Sequence, residues 1–225
     1  LFAIILLRVS IYLPKSLLFF IGKILGKIMY LIVKKRRIIA QRNITHCFPN
    51  LSHQEKKQLV IKHFESLGIS LIELGLARWL PTNYLKSMIN VNGSENVNIA
   101  LNQGKNIILL SAHFTTLEIC SRIASEYIPS FDIVYRPLKN HAFNDLIVTT
   151  RKFSGRELIE KNNIKKMIRS LRDGIPVWYA PDQAYLHKRS SLLTFFNQPA
   201  MTNISTTKLA KLGQAIVIPY FCRRL

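Results

Sequence analysis

The run Asn106-Ile107-Ile108-Leu109-Leu110 constrains this chain more than any other feature, because it is short, branched and apolar without alternation. A strand with one wet face alternates polar and apolar residues, so an unbroken run is covered on both faces. Pro176 to Ala180 and Ala215-Ile216-Val217-Ile218-Pro219 read as further strands, as does Asp132-Ile133-Val134-Tyr135-Arg136. Helical stretches fall between them: residues 116 to 127, 144 to 153, 164 to 172 stopped by Gly174, and 205 to 212 stopped by Gly213. Strands that alternate with helices build an α/β fold, a mostly parallel sheet flanked by helices, with its ligand site at the strands' carboxyl ends. Ahead of the sheet, Ser52-His53-Gln54-Glu55 is a capping-box pattern opening a long helix that Pro81 closes, and Ser94 and Gly104 bracket a shorter one.

From Leu1 to Val33 the chain is overwhelmingly apolar, interrupted by Arg8, Pro14, Lys15, Lys23 and Lys27, and it runs directly into Lys34-Lys35-Arg36-Arg37. At helical spacing Arg8, Lys15, Lys23, Lys27 and Lys34 share an arc of roughly 120° against an apolar remainder. That pattern favours a helix lying in a membrane interface. A spanning segment with snorkelling lysines is the alternative, and Pro14 is placed to separate two shorter helices. The basic cluster puts the residues after Val33 near anionic headgroups on the cytoplasmic side. We therefore expect a membrane-associating segment over residues 1–33 and one α/β domain over 34–225, incomplete at its C-terminus because the chain stops just after a strand.

Lysine and arginine number 32 against 12 acids, a net charge of +20, which points to anionic partners. No interleaved aromatic and basic stripe or nucleic-acid motif is present, so acidic lipid or acidic protein is expected rather than nucleic acid. Cys47, Cys120 and Cys222 lack any CxxC pairing, which suggests neither a disulfide framework nor a zinc site and fits a reducing compartment. Cys120 lies close to Glu118, but a buried structural thiol is favoured over an acyl-carrying nucleophile.

Ser111-Ala112-His113-Phe114-Thr115-Thr116-Leu117-Glu118 follows the first strand. On one continuous helix, residues five apart lie roughly 140° from each other and do not meet. If the chain turns at His113 before the helix begins, Glu118 can reach one ring nitrogen and leave the other free as a general base. Thr115-x-x-Glu118 is equally a capping box, and a histidine in an apolar stretch is commonly a packed core residue. Two more polar groups fall at expected strand ends, Arg136 in Tyr135-Arg136-Pro137 and Asp182 in Ala180-Pro181-Asp182-Gln183. Arg136 is suited to hold a phosphate or carboxylate, or to stabilise charge on an acyl oxygen, with an ordinary ion pair as the plain alternative. Asp182 is suited to orient Arg136 or another cation, with a turn cap after Pro181 as its alternative. No glycine-rich phosphate loop, GxSxG elbow or HExxH pair occurs, which leaves nucleotide, serine-hydrolase and zinc-protease chemistry without support.

Taken together, these residues resemble the lipid A biosynthesis late acyltransferases across essentially the whole chain. The landmarks are Arg37-Ile38-Ile39-Ala40-Gln41-Arg42-Asn43-Ile44 leading into Cys47-Phe48-Pro49, then His113-Phe114 through Glu118, Tyr135-Arg136-Pro137 and Val177-Trp178-Tyr179-Ala180-Pro181-Asp182-Gln183. Ser190-Ser191, Phe195-Phe196, Pro199-Ala200, Thr202 and Ile218-Pro219 continue them. The resemblance implies a glycerolipid-acyltransferase-like fold and transfer of a lauroyl- or myristoyl-type chain from acyl carrier protein to a hydroxyl of a Kdo-bearing lipid A precursor, in lipopolysaccharide biosynthesis. It implies that His113, paired with Glu118, deprotonates the acceptor hydroxyl, while Arg136 and Asp182 bind acceptor or steady the transition state. No metal and no cofactor beyond the carrier thioester is implied. The implied partners are acyl carrier protein, the anionic lipid A precursor and membrane lipids, and the implied place is the cytoplasmic face of the inner membrane.

The broader glycerolipid acyltransferase group carries His-x4-Asp where this chain has Glu118, and Asn197 stands where the Phe-Phe-Gly pattern has glycine. Two alternatives stand beside this reading. One is a related acyltransferase acting on lysophospholipid or another glycolipid, against which Ala180-Pro181-Asp182-Gln183 counts. The other is a non-catalytic basic membrane-surface module, which explains the charge but not three polar groups at successive strand ends. Lys161-Asn162-Asn163-Ile164-Lys165-Lys166 and His187-Lys188-Arg189 are the candidate docking surfaces.

Overall fold

The computed structural model describes residues 2–183 and 190–224. The basic stretch His187-Lys188-Arg189 lies outside them. In chain order the elements are α1 (Phe2–Ser10), α2 (Lys15–Ile32), α3 (Lys34–Cys47), α4 (His53–Trp79), α5 (Thr82–Lys86), α6 (Ser94–Asn102), β1 (Asn106–Leu110), α7 (Leu117–Ala124), β2 (Asp132–Tyr135) and α8 (His141–Arg151). There follow β3 (Glu157–Glu160), α9 (Ile164–Arg172), β4 (Val177–Tyr179), β5 (Ser190–Phe195), β6 (Gln198–Asn203), α10 (Ser205–Gly213) and β7 (Ala215–Pro219).

Five strands form one parallel sheet in the order β3-β2-β4-β1-β7. The unalternated β1 is covered on both faces as expected. Ile107 and Leu109 pack with Val97, Ala100, Cys120 and Ala124 of α6 and α7. Ile108 packs on the other side with Met167, Leu171 and Leu209 of α9 and α10. The Ser52 capping box opens α4, with Glu55 and Ser52 bonding each other's backbone.

Several elements were not anticipated, among them helices α3 and α5, strand β3 and the β5–β6 hairpin. Strand β3 buries only Ile159 fully, and a two-residue apolar core is too short to read as a strand. The β5–β6 hairpin is antiparallel and separate from the main sheet, and it turns at Phe196 and Asn197 with φ of 51° and 58°. Two consecutive left-handed residues make a type I′ turn, in which asparagine can stand in for glycine. Asn197 therefore preserves the tight loop.

At the N-terminus the chain breaks before Pro14, as expected, and α2 lies against α4 with backbone on backbone. A methyl group on Gly26 would overlap the Phe64 carbonyl, and one on Gly68 would overlap Gly22 and Gly26. Lys27 reaches Glu65 across the same seam at 3.4 Å. The far side of α2 carries Leu17, Phe20, Ile24, Ile28 and Leu31, all exposed and three or four residues apart on one face. No single described helix is long and apolar enough to cross a membrane, and α2 and α3 meet that test only as a pair bent by 95°.

The cysteines require a correction. Cys120 of α7 and Cys222, just past β7, are joined by a disulfide, with Cys47 free. The sequence separation of 102 residues hides the pair. Strand β7 adds beside β1, so the segment that follows it passes over the helix that follows β1.

Candidate active site

The parallel pairing of β1 with β4 places Leu110 level with Tyr179, and the Ser111 N–H donates to the Tyr179 carbonyl at 2.8 Å. His113 and Asp182 each lie three residues past that level pair, so two adjacent strands deliver them side by side. Asp182 engages His113 twice. One oxygen accepts the backbone N–H at 3.0 Å, and the other faces ring Nδ1 at 2.6 Å. Burial works to raise the Asp182 pKa, but the hydrogen bonds and charge of His113 outweigh it and hold the carboxyl below its ordinary value. An ionised carboxylate only accepts, so Nδ1 carries a proton, and in the neutral form of the ring Nε2 presents a lone pair. Among the described residues Nε2 has no hydrogen-bond partner.

The chain does turn at His113, where the Phe114 N–H folds back to the Ala112 carbonyl at 2.7 Å before α7 begins at Leu117. Glu118 nevertheless does not pair with His113 in this structure. Its two oxygens take a bidentate fork from Arg151 of α8, with Nη2 at 2.7 Å and Nε at 3.1 Å. The capping box is absent as well, since α7 has no side-chain cap. Thr115 instead bonds Ser66 of α4 at 2.8 Å, and Thr116 donates to the Cys222 carbonyl at 3.0 Å. The strand register draws His113 toward β4, while the first turn of α7 faces α8.

Residues 220 to 224 strap this loop in place. The Tyr220 N–H donates to the Leu110 carbonyl at 2.8 Å and its hydroxyl to the Cys120 carbonyl at 2.8 Å. The Phe221 ring lies 5.6 Å from that of Phe114. Arg224 forks onto buried Glu73 of α4 at 2.6 and 2.7 Å, and donates to Ser66 and to Thr115. Burial raises the Glu73 pKa, with Arg224 opposing. Arg151, Glu73 and Arg224 escaped sequence reasoning. The one available signal was an acid inside the apolar run Leu71-Ile72-Glu73-Leu74.

Arg136 follows β2 on the same sheet edge and is exposed, and among the described residues it forms no ion pair with Asp182 or any other acid. The structure thus brings His113 and Asp182 together, sets Arg136 on their edge, and holds Glu118 apart on Arg151. A family model for the bacterial lipid A biosynthesis acyltransferases matches residues 1–225.

The chain belongs to the bacterial lipid A biosynthesis acyltransferase family.

It is 34% identical over 215 residues to the lipid A biosynthesis lauroyltransferase of Escherichia coli (strain K12), covering 95% of this chain and 70% of that protein. It is 32% identical over 197 residues to the palmitoleoyltransferase of the same strain, covering 88% and 63%. A lipid A biosynthesis acyltransferase of Shigella flexneri matches with the same figures. The chain therefore spans about two thirds of the length of these acyltransferases.

Proposed function

We propose that this chain transfers a fatty acyl group from an acyl carrier protein thioester to a hydroxyl of a Kdo-bearing lipid A precursor, with His113 as general base. The observation that carries the reading is the partly exposed His113–Asp182 pair at the carboxyl edge of a parallel sheet, whose Nε2 has no partner among the described residues. Nε2 takes the proton of the acceptor hydroxyl, and Asp182 stabilises the imidazolium that forms. The acceptor oxygen bonds to the thioester carbonyl carbon, the carbon–sulfur bond breaks, and the departing thiolate recovers the proton from His113. Atoms and charge balance with no metal, added cofactor or acyl-enzyme.

Arg136 is placed to stabilise charge on the acyl oxygen. Glu118, held by Arg151, acts here as a positioning residue that seats α7 and the His113 loop. Exposed Phe114 and Phe221 offer an apolar surface for acyl chains beside the base. A glycerolipid-acyltransferase-like arrangement is inferred from the His-x4-acid spacing of His113 and Glu118.

The exposed face of α2, followed by Lys34-Lys35-Arg36-Arg37, supports an N-terminal segment lying in the interface of the inner membrane on its cytoplasmic side. A net charge of +20 suits both an acidic carrier and a phosphorylated acceptor. The test is acyl transfer in membranes from lauroyl and myristoyl carrier protein to the Kdo-lipid A precursor, wild type against His113→Ala. We expect ester product that vanishes in the variant. Consumption of lysophospholipid with the precursor untouched would overturn the acceptor, and lipid binding without turnover would favour the non-catalytic module.

A further inference from the structure

One turn along α7 from Glu118, a single aromatic ring carries two guanidinium groups. Arg78 of α4 and Arg122 of α7 hold their guanidinium carbons 4.9 and 5.1 Å from the ring centre of Phe153, just past α8. Arg122 is fixed by neutral acceptors, with Nη1 donating to the Phe153 carbonyl at 3.2 Å and Nη2 to the Thr82 hydroxyl at 2.8 Å. Its Nε is buried without a partner. Arg78 also rests over Trp79, at 5.9 Å.

Among the described residues neither arginine is in an ion pair. Glu126, the acid whose charge acts on Arg122, is itself held by Lys86 at 3.0 Å. The neighbouring Glu118 is committed to Arg151. Burial lowers the Arg122 pKa, Glu126 opposes this, and Arg78 lowers it further. Two like charges over one ring, with no acid paired to either among the described residues, form an arrangement that an anion of tetrahedral oxygens completes.

The surroundings select the kind of anion. Helix α1 crosses α4 at Gly75, where a Cβ would stand 3.3 Å from the Leu7 carbonyl oxygen, one turn before Arg78. The same helix exposes Ile5, Leu6 and Val9. Phe153 is itself 51% exposed. A charged pair bordered by apolar surface suits a ligand with an anionic head and a hydrocarbon body. Residues 118 and 122 share one face of α7, so this cluster lies one turn from the Glu118–Arg151 pair.

We propose that Arg78, Arg122 and Phe153 form a subsite for the phosphate monoester of a lipid headgroup, whose chains lie on the apolar surface of α1. The lipid half deepens the acyl-transfer reading and rests on its anionic lipid acceptor. The test uses the full chain with neutral phosphatidylcholine vesicles carrying either phosphatidic acid, a monoester, or an equal fraction of phosphatidylglycerol, a diester. Wild type should bind the monoester vesicles about tenfold more tightly. Arg78→Gln and Arg122→Gln should each reduce that preference toward parity, whereas Arg78→Lys keeps most of it and controls for folding.

A wild type without the preference, or glutamine variants that retain it, would overturn the subsite. Competition by inorganic phosphate as strong as that by monoester lipid would assign the site to free phosphate and overturn the headgroup. The vesicles carry no acyl donor. Binding that persists in a chain without turnover therefore keeps the subsite and sinks the reaction, and turnover without the binding preference does the reverse.

Discussion

Two carboxylate pairs flank the six residues from His113 to Glu118, and they differ in nearly every property that matters for chemistry. His113 and Asp182 join two strand ends with side chains 44% and 36% exposed. Glu118 and Arg151 join two helices with side chains 14% and 12% exposed. The first pair leaves one ring nitrogen without a partner among the described residues, whereas the second spends its hydrogen bonds on itself. The carboxylate nearest to a histidine in sequence is thus not the one nearest in space, because a level pair of parallel strands outranks a five-residue separation.

The largest effect should come from the base. His113→Ala is expected to lower kcat/KM by about 10³ with little change in Tm, since general-base catalysis contributes about 10² to 10⁴. Asp182→Asn should lower it by roughly 10², because an amide can donate to Nδ1 and turn the ring's proton toward Nε2. The double variant should be no slower than His113→Ala alone, as two groups acting through one proton do not add. Steady-state kinetics on all three would expose any independent role for Asp182.

Glu118 should respond in the opposite way. Glu118→Gln leaves Arg151 with its charge unmatched in a mostly buried place, and breaking such a pair costs roughly 3 kcal/mol. At about 2 to 4 °C per kcal/mol for a chain of this size, Tm should fall by about 6 to 12 °C. Glu118→Leu with Arg151→Met should recover part of it. If instead turnover vanished in Glu118→Gln while the melt stayed unchanged, Glu118 would be the partner of His113 in the reacting state, and the comparison would collapse.

Acid offers a finer cut. The Asp182 carboxyl is held below its ordinary value, so the stability it contributes is present above the ordinary carboxylate range and is lost as pH falls through the depressed value. The difference in Tm between wild type and Asp182→Asn should therefore persist down to the ordinary carboxylate range, about pH 4, and close below it. A difference that closed well above the carboxylate range would show that Asp182 is not held below its ordinary value.

How much of this was legible depends on the same physics. Strands β1 and β4 could be read because burial on two faces removes polar residues from the run, whereas β7 was read from its apolar run although it lies at the sheet edge with Ile216 and Val217 exposed. Strand β3 could not, with Glu157 and Glu160 around one fully buried residue. The hairpin was hidden because it carries Leu192 and Phe195 on exposed positions, where polar residues are expected. His113, Arg136 and Asp182 were found from their places at strand ends. The partnership of His113 with Asp182 was not, because only the register of β1 on β4 makes it. Arg151 and Arg224 left no local trace, since their acids lie 33 and 151 residues away.

The smallest effect tests whether the strap behind His113 depends on its covalent link. If the proposed cytoplasmic membrane face is the working compartment, Cys120 and Cys222 stand there as thiols, and the bridge that joins them in the structure would not constrain the unfolded chain as a long-loop disulfide does. The strap has other holds: the Tyr220 hydroxyl on the Cys120 carbonyl, Thr116 on the Cys222 carbonyl, and Arg224 on Glu73. Cys222→Ala in reductant should therefore lower Tm by no more than about 2 to 4 °C, the equivalent of about 1 kcal/mol, and leave turnover within twofold. Alkylation of the freshly solubilised wild type followed by mass spectrometry should find both thiols labelled. A bridge that survived in the native membrane, with a loss of turnover in Cys222→Ala like that of His113→Ala, would make the strap part of the catalytic machinery and would move the boundary of the site from the sheet edge to the far side of α7.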